Sequence, residues 1–338
     1  MKSFIFMATD LLYSGFNQDQ GCFACGLKNG FKVFNTEPLR EKESIAFNDG
    51  GIGFVEMLFR CNYIALIGGG KTPKYSRNKV IIWDDVKKRE MIELEFASEV
   101  KSVRLRRDRI VVVLEAIIKI YSFKISPQLL SVIETAYNPR GICALCPSSN
   151  NSFVAILGRD VGSVRIADLS NLDKAPLLIP AHENQITCIE FNQQGTRLVT
   201  ASSKGTLLRI FDALTGEILQ ELRRGSNPAI IYSIAFSHDS TMICVTSNHA
   251  TLHIFALDQK AIKTNSYIPK YFQSKSSFTK IEIPSSLSTI CAFGPQDNSV
   301  IVISSDGSYF KWVFNPNGQW HRQEHTNFLE NPDLLAIR

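Results

Sequence analysis

The sequence predicts an all-β protein, a seven-bladed β-propeller of WD-repeat type whose blades are four-stranded and antiparallel. Three observations predict it. First, a short strand carrying a cation, Val or Ile and then usually an aromatic residue recurs along the chain: Lys32-Val33-Phe34, Ile81-Ile82-Trp83, Lys119-Ile120-Tyr121, Arg209-Ile210-Phe211 and His253-Ile254-Phe255, with weaker copies at Arg165-Ile166-Ala167 and Lys311-Trp312-Val313. Second, the copies end at 34, 83, 121, 167, 211, 255 and 313, so the steps are 49, 38, 46, 44, 44 and 58 residues. A period near 45 residues suits one four-stranded blade. Third, no helical period competes with the short apolar runs.

The clearest copy is legible strand by strand. Ile186 to Phe191 leads through an Asn192–Gly195 turn into Arg197 to Ser202, then through Ser203-Lys204-Gly205 into Thr206 to Phe211. After Asp212 to Gly216, a fourth strand runs Glu217 to Arg223. Each run is rich in β-branched or apolar residues and is bounded by Gly, Asn, Asp or Ser, which accept turn dihedrals. Seven such blades close radially and leave few exposed edges, so residues 1–338 are expected to form one domain. The manner of closure is not legible.

Composition supports a folded globule: 338 residues, 44% hydrophobic, mean hydropathy −0.02. The longest apolar runs, such as Ile110 to Leu114, are strand-sized, well short of the roughly 18 residues of a membrane-spanning helix. Met1 to Ala8, followed by Asp10, is too short for a signal peptide, and a cytoplasmic location is expected. Eight cysteines, several within strand-like runs (Cys188, Cys244, Cys291), read as small core residues of a reducing compartment. The Cys22/Cys25 and Cys143/Cys146 pairs lie in extended patterns that send i and i+3 to opposite faces, so no metal site is expected. No cofactor is expected either.

The net charge of +5 is concentrated. Lys260 to Lys280 holds five lysines and no acid, so the rest of the chain sums to zero, unlike the broad basic surface of a nucleic-acid binder. The last repeat step exceeds its predecessor by 14 residues (58 − 44), placing an insert at 258–283 in blade six. Its Lys263, Lys270, Lys275 and Lys280 alternate with Tyr267, Tyr271, Phe272 and Phe278, a mixture suited to anionic headgroups and the membrane interface. A solvated surface loop is the plainer reading of the same residues.

At the end of blade five stands Leu222-Arg223-Arg224-Gly225. Adjacent side chains on a strand point to opposite faces, so two arginines imply two sites. A guanidinium fork binds phosphate oxygens bidentately, and hydroxyls and backbone N–H groups of a Gly-containing turn complete such a shell. An isolated pair of this kind would more simply be a solvated strand end neutralised by acids such as Glu217 or Glu221. The surrounding residues argue otherwise. Ala181-His182, Ala201-Ser202-Ser203-Lys204-Gly205-Thr206 and Arg209-Ile210-Phe211 precede the double arginine, and Gly68-Gly69-Gly70, Pro73, Ser76, Asn78-Lys79-Val80 and Ile82-Trp83-Asp84-Asp85 form a second linked set.

Together these resemble the signatures of the PROPPIN family, whose double-arginine motif usually begins with Phe where Leu222 stands. The short length is most similar to the fungal branch named homologous with swollen vacuole phenotype. The resemblance implies binding of phosphatidylinositol 3-phosphate and phosphatidylinositol 3,5-bisphosphate, and peripheral attachment to endosomal, vacuolar and preautophagosomal membranes. It also implies roles in autophagy and protein transport, autophagy proteins as partners, and a monomeric propeller that is not an enzyme. It implies a first site of His182, Thr200, Ser202, Lys204, Gly205, Thr206, Arg209 and Arg223, and a second of Arg224, Gly225, Ser247, Asn248, Thr251 and His253.

Other functions fit less well. Ala65 to Thr72 resembles a phosphate-binding loop but lacks its first glycine, and Pro73 and the strand at Val80 follow where a helix should start. No Ser-His-Asp or paired-carboxylate arrangement stands out. The remaining alternative is a purely protein-binding propeller scaffold, with basic segments Lys71 to Lys79 and Lys101 to Arg109 available to partners.

Overall fold

The computed structural model describes residues 10–257 and 275–334. These form seven sheets arranged as blades, each with four antiparallel strands in chain order. All seven repeat copies are third strands, for example Gly30–Thr36 in blade one, Leu207–Asp212 in blade five and Ser308–Phe314 in blade seven. Blade five follows the expected boundaries closely, with strands Ile186–Phe191, Arg197–Ser202, Leu207–Asp212 and Ile218–Arg223.

Period-two alternation gives each central strand two apolar faces, and each face meets the neighbouring blade. In blade five, Leu198 and Phe211 pack toward blade four. Val199, Ala201, Leu208, Ile210 and Leu222 pack toward blade six. The buried side chains accordingly divide into seven clusters, one between each pair of adjacent blades. The cysteine pairs obey the same rule: Cys22 joins the cluster between blades one and two, and Cys25 that between blades seven and one. First strands from all seven blades surround a central cavity of ≈ 390 Å³.

Among the described residues the ring closes without a shared strand, since blade one is continuous from Leu11 to Ala46 and blade seven from Thr289 to Asn327. Face packing of Phe23, Phe34, Ile301, Tyr309 and Phe328 closes it instead. Polar ties cross the same seam. The Tyr309 hydroxyl donates to the Thr36 carbonyl at 2.9 Å, and buried Lys311 meets Glu37 at 2.6 Å and Gln296 at 3.0 Å. Gln20 of blade one bridges to blades six and seven, donating to the Phe236 carbonyl and accepting from the Phe293 N–H.

The 258–283 insert needs correction at its C-terminal end. Thr279–Glu282 is the fourth strand of blade six, paired with Thr251–Ile254, because that third strand's outer N–H and C=O groups require a ladder partner. Phe278, with its ring 6.3 Å from Phe314, and Lys280 therefore belong to the blade. Lys275–Ser276 forms a two-residue strand parallel to Leu222–Arg223, adding a fifth strand to blade five. Lys263, Tyr267, Lys270, Tyr271 and Phe272 lie outside the described residues.

The seam makes a stability prediction. Lys311→Ala should cost about 2 to 3 kcal/mol, below the range for a fully buried pair because Glu37 keeps some contact with water. Adding Glu37→Gln should restore part of the loss in urea unfolding, whereas equal loss in both variants would show the pair does not hold the seam.

Candidate functional site

Two side-chain clusters flank the end of blade five. Toward blade four, cross-strand pairing aligns Thr200 with Arg209, Arg209 with Glu221, and Leu207 with Arg223. Arg209 donates from Nε to Glu221 at 2.9 Å and from Nη1 to the Ala181 carbonyl at 2.7 Å. His182 Nε2 lies 2.9 Å from the Thr200 hydroxyl. Burial, followed by the charge of Arg209, lowers the His182 pKa to about 4. Thr200 and Ser202 are buried, Arg223 is half-buried and Lys204 is exposed.

Gly205 and Thr206 take different roles from those expected. Their carbonyls accept from Arg224, the Gly205 oxygen from Nε and the Thr206 oxygen from the backbone N–H, each at 2.9 Å. Arg224 Nη2 also donates to the Asn227 carbonyl. The turn fixes this arrangement. Gly205 has φ +63°, and a Cβ there would sit 1.8 Å from the Ala229 carbonyl oxygen. Only glycine satisfies both the dihedral and the approach.

Toward blade six, Arg224, Gly225, Ser226, Asn227, His249, Thr251, His253 and Lys280 enclose a cavity of ≈ 230 Å³. No acid lines it. Thr251 and His253 alternate with Leu252 and Ile254, which pack toward blade seven, so both face blade five. His253 Nδ1 is 3.3 Å from the Ser277 hydroxyl. Burial first, then the charges of Arg224, Lys280 and His249, lower its pKa to about 4. The Thr251 hydroxyl is buried without a hydrogen-bond partner among the described residues. A buried hydroxyl left unpaired costs free energy that a bound oxygen would recover.

Ser247 pairs directly opposite Thr251, beside the cavity, while neither it nor Asn248 is among the lining residues. Ser247 is buried, and the Asn248 carboxamide oxygen accepts from the Ile230 N–H at 2.9 Å, holding the approach to blade six. Sequence reasoning missed His249, Ser226 and Asn227, and gave Lys280 to the insert. A turn histidine carries no periodic signal, and Lys280 reaches the cavity only through its pairing opposite His253.

Fold and site together define a β-propeller with polar, cation-bearing clefts between its outer strands. The PROPPIN family model matches residues 11–303, and the chain belongs to the PROPPIN family. It is similar to SVP1-like protein 2 of Pichia angusta, 36% identical over 92% of each chain. It is equally 36% identical to Autophagy-related protein 18e of Arabidopsis thaliana, over 94% of this chain and 88% of that protein. Among solved structures, Kluyveromyces lactis Hsv2 with complete loop 6CD superposes with a TM-score of 0.81 at 24% identity, covering 95% of this chain and 100% of the other. The KlAtg21 complex with the coiled-coil of AgAtg16 gives 0.79 at 26%, with coverages of 95% and 100%.

The two histidines make acid stability testable. Their folded pKa values of about 4 lie below the ordinary 6.5, so between these values the unfolded chain binds more protons and stability falls as pH falls. Chemical denaturation from pH 7 to pH 4 should show a shallower decline for a variant carrying His182→Gln and His253→Gln. An unchanged slope would mean neither imidazole is depressed.

Proposed function

We propose that this chain is a peripheral membrane phosphoinositide effector that binds phosphatidylinositol 3-phosphate and phosphatidylinositol 3,5-bisphosphate through two sites flanking Leu222-Arg223-Arg224-Gly225. The observation that carries the reading is the cleft between blades five and six, where a buried arginine, a lysine and two imidazoles converge around a threonine hydroxyl, with no acid in the lining and no partner for that hydroxyl among the described residues. Such a cleft favours an anion bearing several acceptor oxygens, as a phosphomonoester does. Arg223 and its neighbours on the opposite face form the second site in this reading. Lys275–Ser276 runs beside Leu222–Arg223, and in this reading the aromatic residues of the insert add bilayer contact to headgroup binding.

Family membership and relatives named for autophagy extend the reading to autophagy and to endosome and vacuole trafficking, with attachment to endosomal, vacuolar and preautophagosomal membranes from the cytoplasm. A similar propeller solved with a coiled-coil supports autophagy proteins as a partner class. The role is one of binding, by a monomeric propeller without nucleic-acid ligand or enzymatic activity.

A propeller that serves only as a protein scaffold finds less support. Its basic segments are largely engaged within the molecule: Lys74 with Asp49, Lys79 with Glu93, Arg104 with Glu56, and Arg106 and Arg109 with Asp108.

Flotation on liposomes with and without phosphatidylinositol 3-phosphate tests the proposal. Arg223→Thr with Arg224→Thr should abolish lipid-dependent flotation, since each lost charge-assisted contact weakens binding roughly ten- to a hundredfold and two sites on one membrane act together. The pair is not structurally silent, because Arg224 holds two carbonyls, and a melt a few degrees lower is expected from that residue alone. A double mutant that floats like wild type would overturn the assignment.

A further inference from the structure

We propose that the two sites are chemically inequivalent: the cleft between blades five and six selects a headgroup bearing two phosphomonoesters, the cluster between blades four and five one bearing a single phosphomonoester, and Lys280 and Glu221 set the difference. The inference rests on the phosphoinositide reading above and deepens it. It comes from a comparison of charge on the two faces of one strand end.

On the blade-four face, a carboxylate stands inside the cluster. Glu221 accepts from Arg209 Nε at 2.9 Å, and the Ala181 carbonyl takes a second of that guanidinium's N–H donors, so Arg209 is already charge-paired before any ligand arrives. A phosphate approaching Arg209 must displace or tolerate a negative charge a few ångströms away. One phosphomonoester held by Arg223 and the Ser202 hydroxyl sits toward the strand end, whereas a second reaching Thr200, which pairs with Arg209, meets Glu221.

On the blade-six face the balance is reversed. Arg224 and Lys280 are cations, His253 carries a second kind of polar nitrogen into the wall, and no carboxylate among the described residues lines the cleft. His249 Nε2–H donates to the Pro228 carbonyl at 2.9 Å, which fixes that ring at the cleft's edge. His253 is neutral in the empty cleft because burial, Arg224, Lys280 and His249 all disfavour its proton. Each added phosphate charge opposes those cations and raises the proton affinity of His253, so a doubly phosphorylated ring draws in further positive charge. Binding there should therefore take up protons; binding at the blade-four face, where Arg209 already faces Glu221, should do so less.

Lys280 is the specific contribution of the blade-six strand Thr279–Glu282. It lies directly opposite His253 in the ladder, which places its ammonium stem at the cleft wall. The blade-four cluster has no corresponding lysine on its fourth strand: the position opposite Arg209 is Glu221 itself. One ladder position thus carries opposite charges in blades five and six.

Calorimetry with soluble dibutanoyl phosphatidylinositol 3-phosphate and its 3,5-bisphosphate tests this with single-site proteins. Arg223→Thr, which retains the cleft between blades five and six, should bind the bisphosphate roughly tenfold more tightly than the monophosphate, the worth of about one charge-assisted contact. Arg224→Thr should show a ratio near one or below. Lys280→Gln in the first background should bring the ratio close to one, and Glu221→Gln in the second should raise bisphosphate affinity roughly tenfold. If Arg224→Thr does not fold, Lys280→Gln in the wild type supplies the reading: the bisphosphate isotherm should lose its tighter phase while the monophosphate isotherm keeps both sites. Equal ratios in the two single-site proteins, or ratios unmoved by the Lys280 and Glu221 changes, would overturn the inference alone. A wild type that binds neither lipid would overturn the phosphoinositide reading and the inference with it.

Discussion

Everything in this molecule depends on blade seven packing face to face against blade one. Among the described residues no strand crosses that seam, and closure there rests on the aromatic cluster of Phe23, Phe34 and Phe328, the Tyr309 hydrogen bond and the Lys311–Glu37 pair. A ring transmits that dependence to every interface, because each blade has two apolar faces and no third place to bury them. Opening one seam exposes the faces of blades one and seven at once. The clefts beside Arg223 and Arg224 lie between blades, and the width of each follows from the apolar cluster beneath it. Leu222, Phe255 and Ile243 set the separation of blades five and six. Arg224 and His253 stand at the polar end of that same interface.

The apolar interior of each interface also explains the state of its polar rim. Arg224 is buried and spends its donors on the backbone carbonyls of Gly205 and Asn227, an arrangement that fixes the guanidinium before ligand arrives. A long side chain held in place loses less conformational freedom on binding than a mobile one. The same burial strips His182 and His253 of their protons. The two clefts then diverge on one ladder position, acidic in one blade and basic in the next.

The repeat was legible because a third strand must satisfy the same demands in every blade: apolar faces on both sides and a short turn at each end. Lys32, Lys119, Arg165, Arg209, His253 and Lys311 all fall within third strands. Seven blades and the opposite facing of adjacent side chains around Arg223 and Arg224 followed from period alone. The cleft's composition did not. Glu221 was visible only as a neutralising acid for the arginine pair, whereas cross-strand register gives it to Arg209. Gly205 and Thr206 read as hydroxyl-and-turn partners of the first site, yet a turn points its carbonyls to one side, and here that side holds Arg224. Register across strands distant in sequence decides such matters, and spacing within a strand does not encode it.

Lys280 shows the same principle acting over a longer stretch of chain. Charge pattern alone groups it with the lysines before it, since Lys260 to Lys280 contains no acid. Ladder pairing separates it from them, because blade six lacks a fourth strand until Thr279–Glu282 returns to the third. The return path passes the outer edge of blade five, where Lys275–Ser276 pairs with Leu222–Arg223 before the chain crosses to blade six. One short stretch, 275–282, thus joins the outer edges of both blades that carry the arginine pair. Any force on the insert is carried to Leu222 and Arg223 through the ladder on one side, and to His253 through Ser277 and Lys280 on the other. If the insert attaches to a surface and the clefts hold headgroups as proposed, the two events are linked through these eight residues of chain, with two ladders and one hydroxyl as the connections.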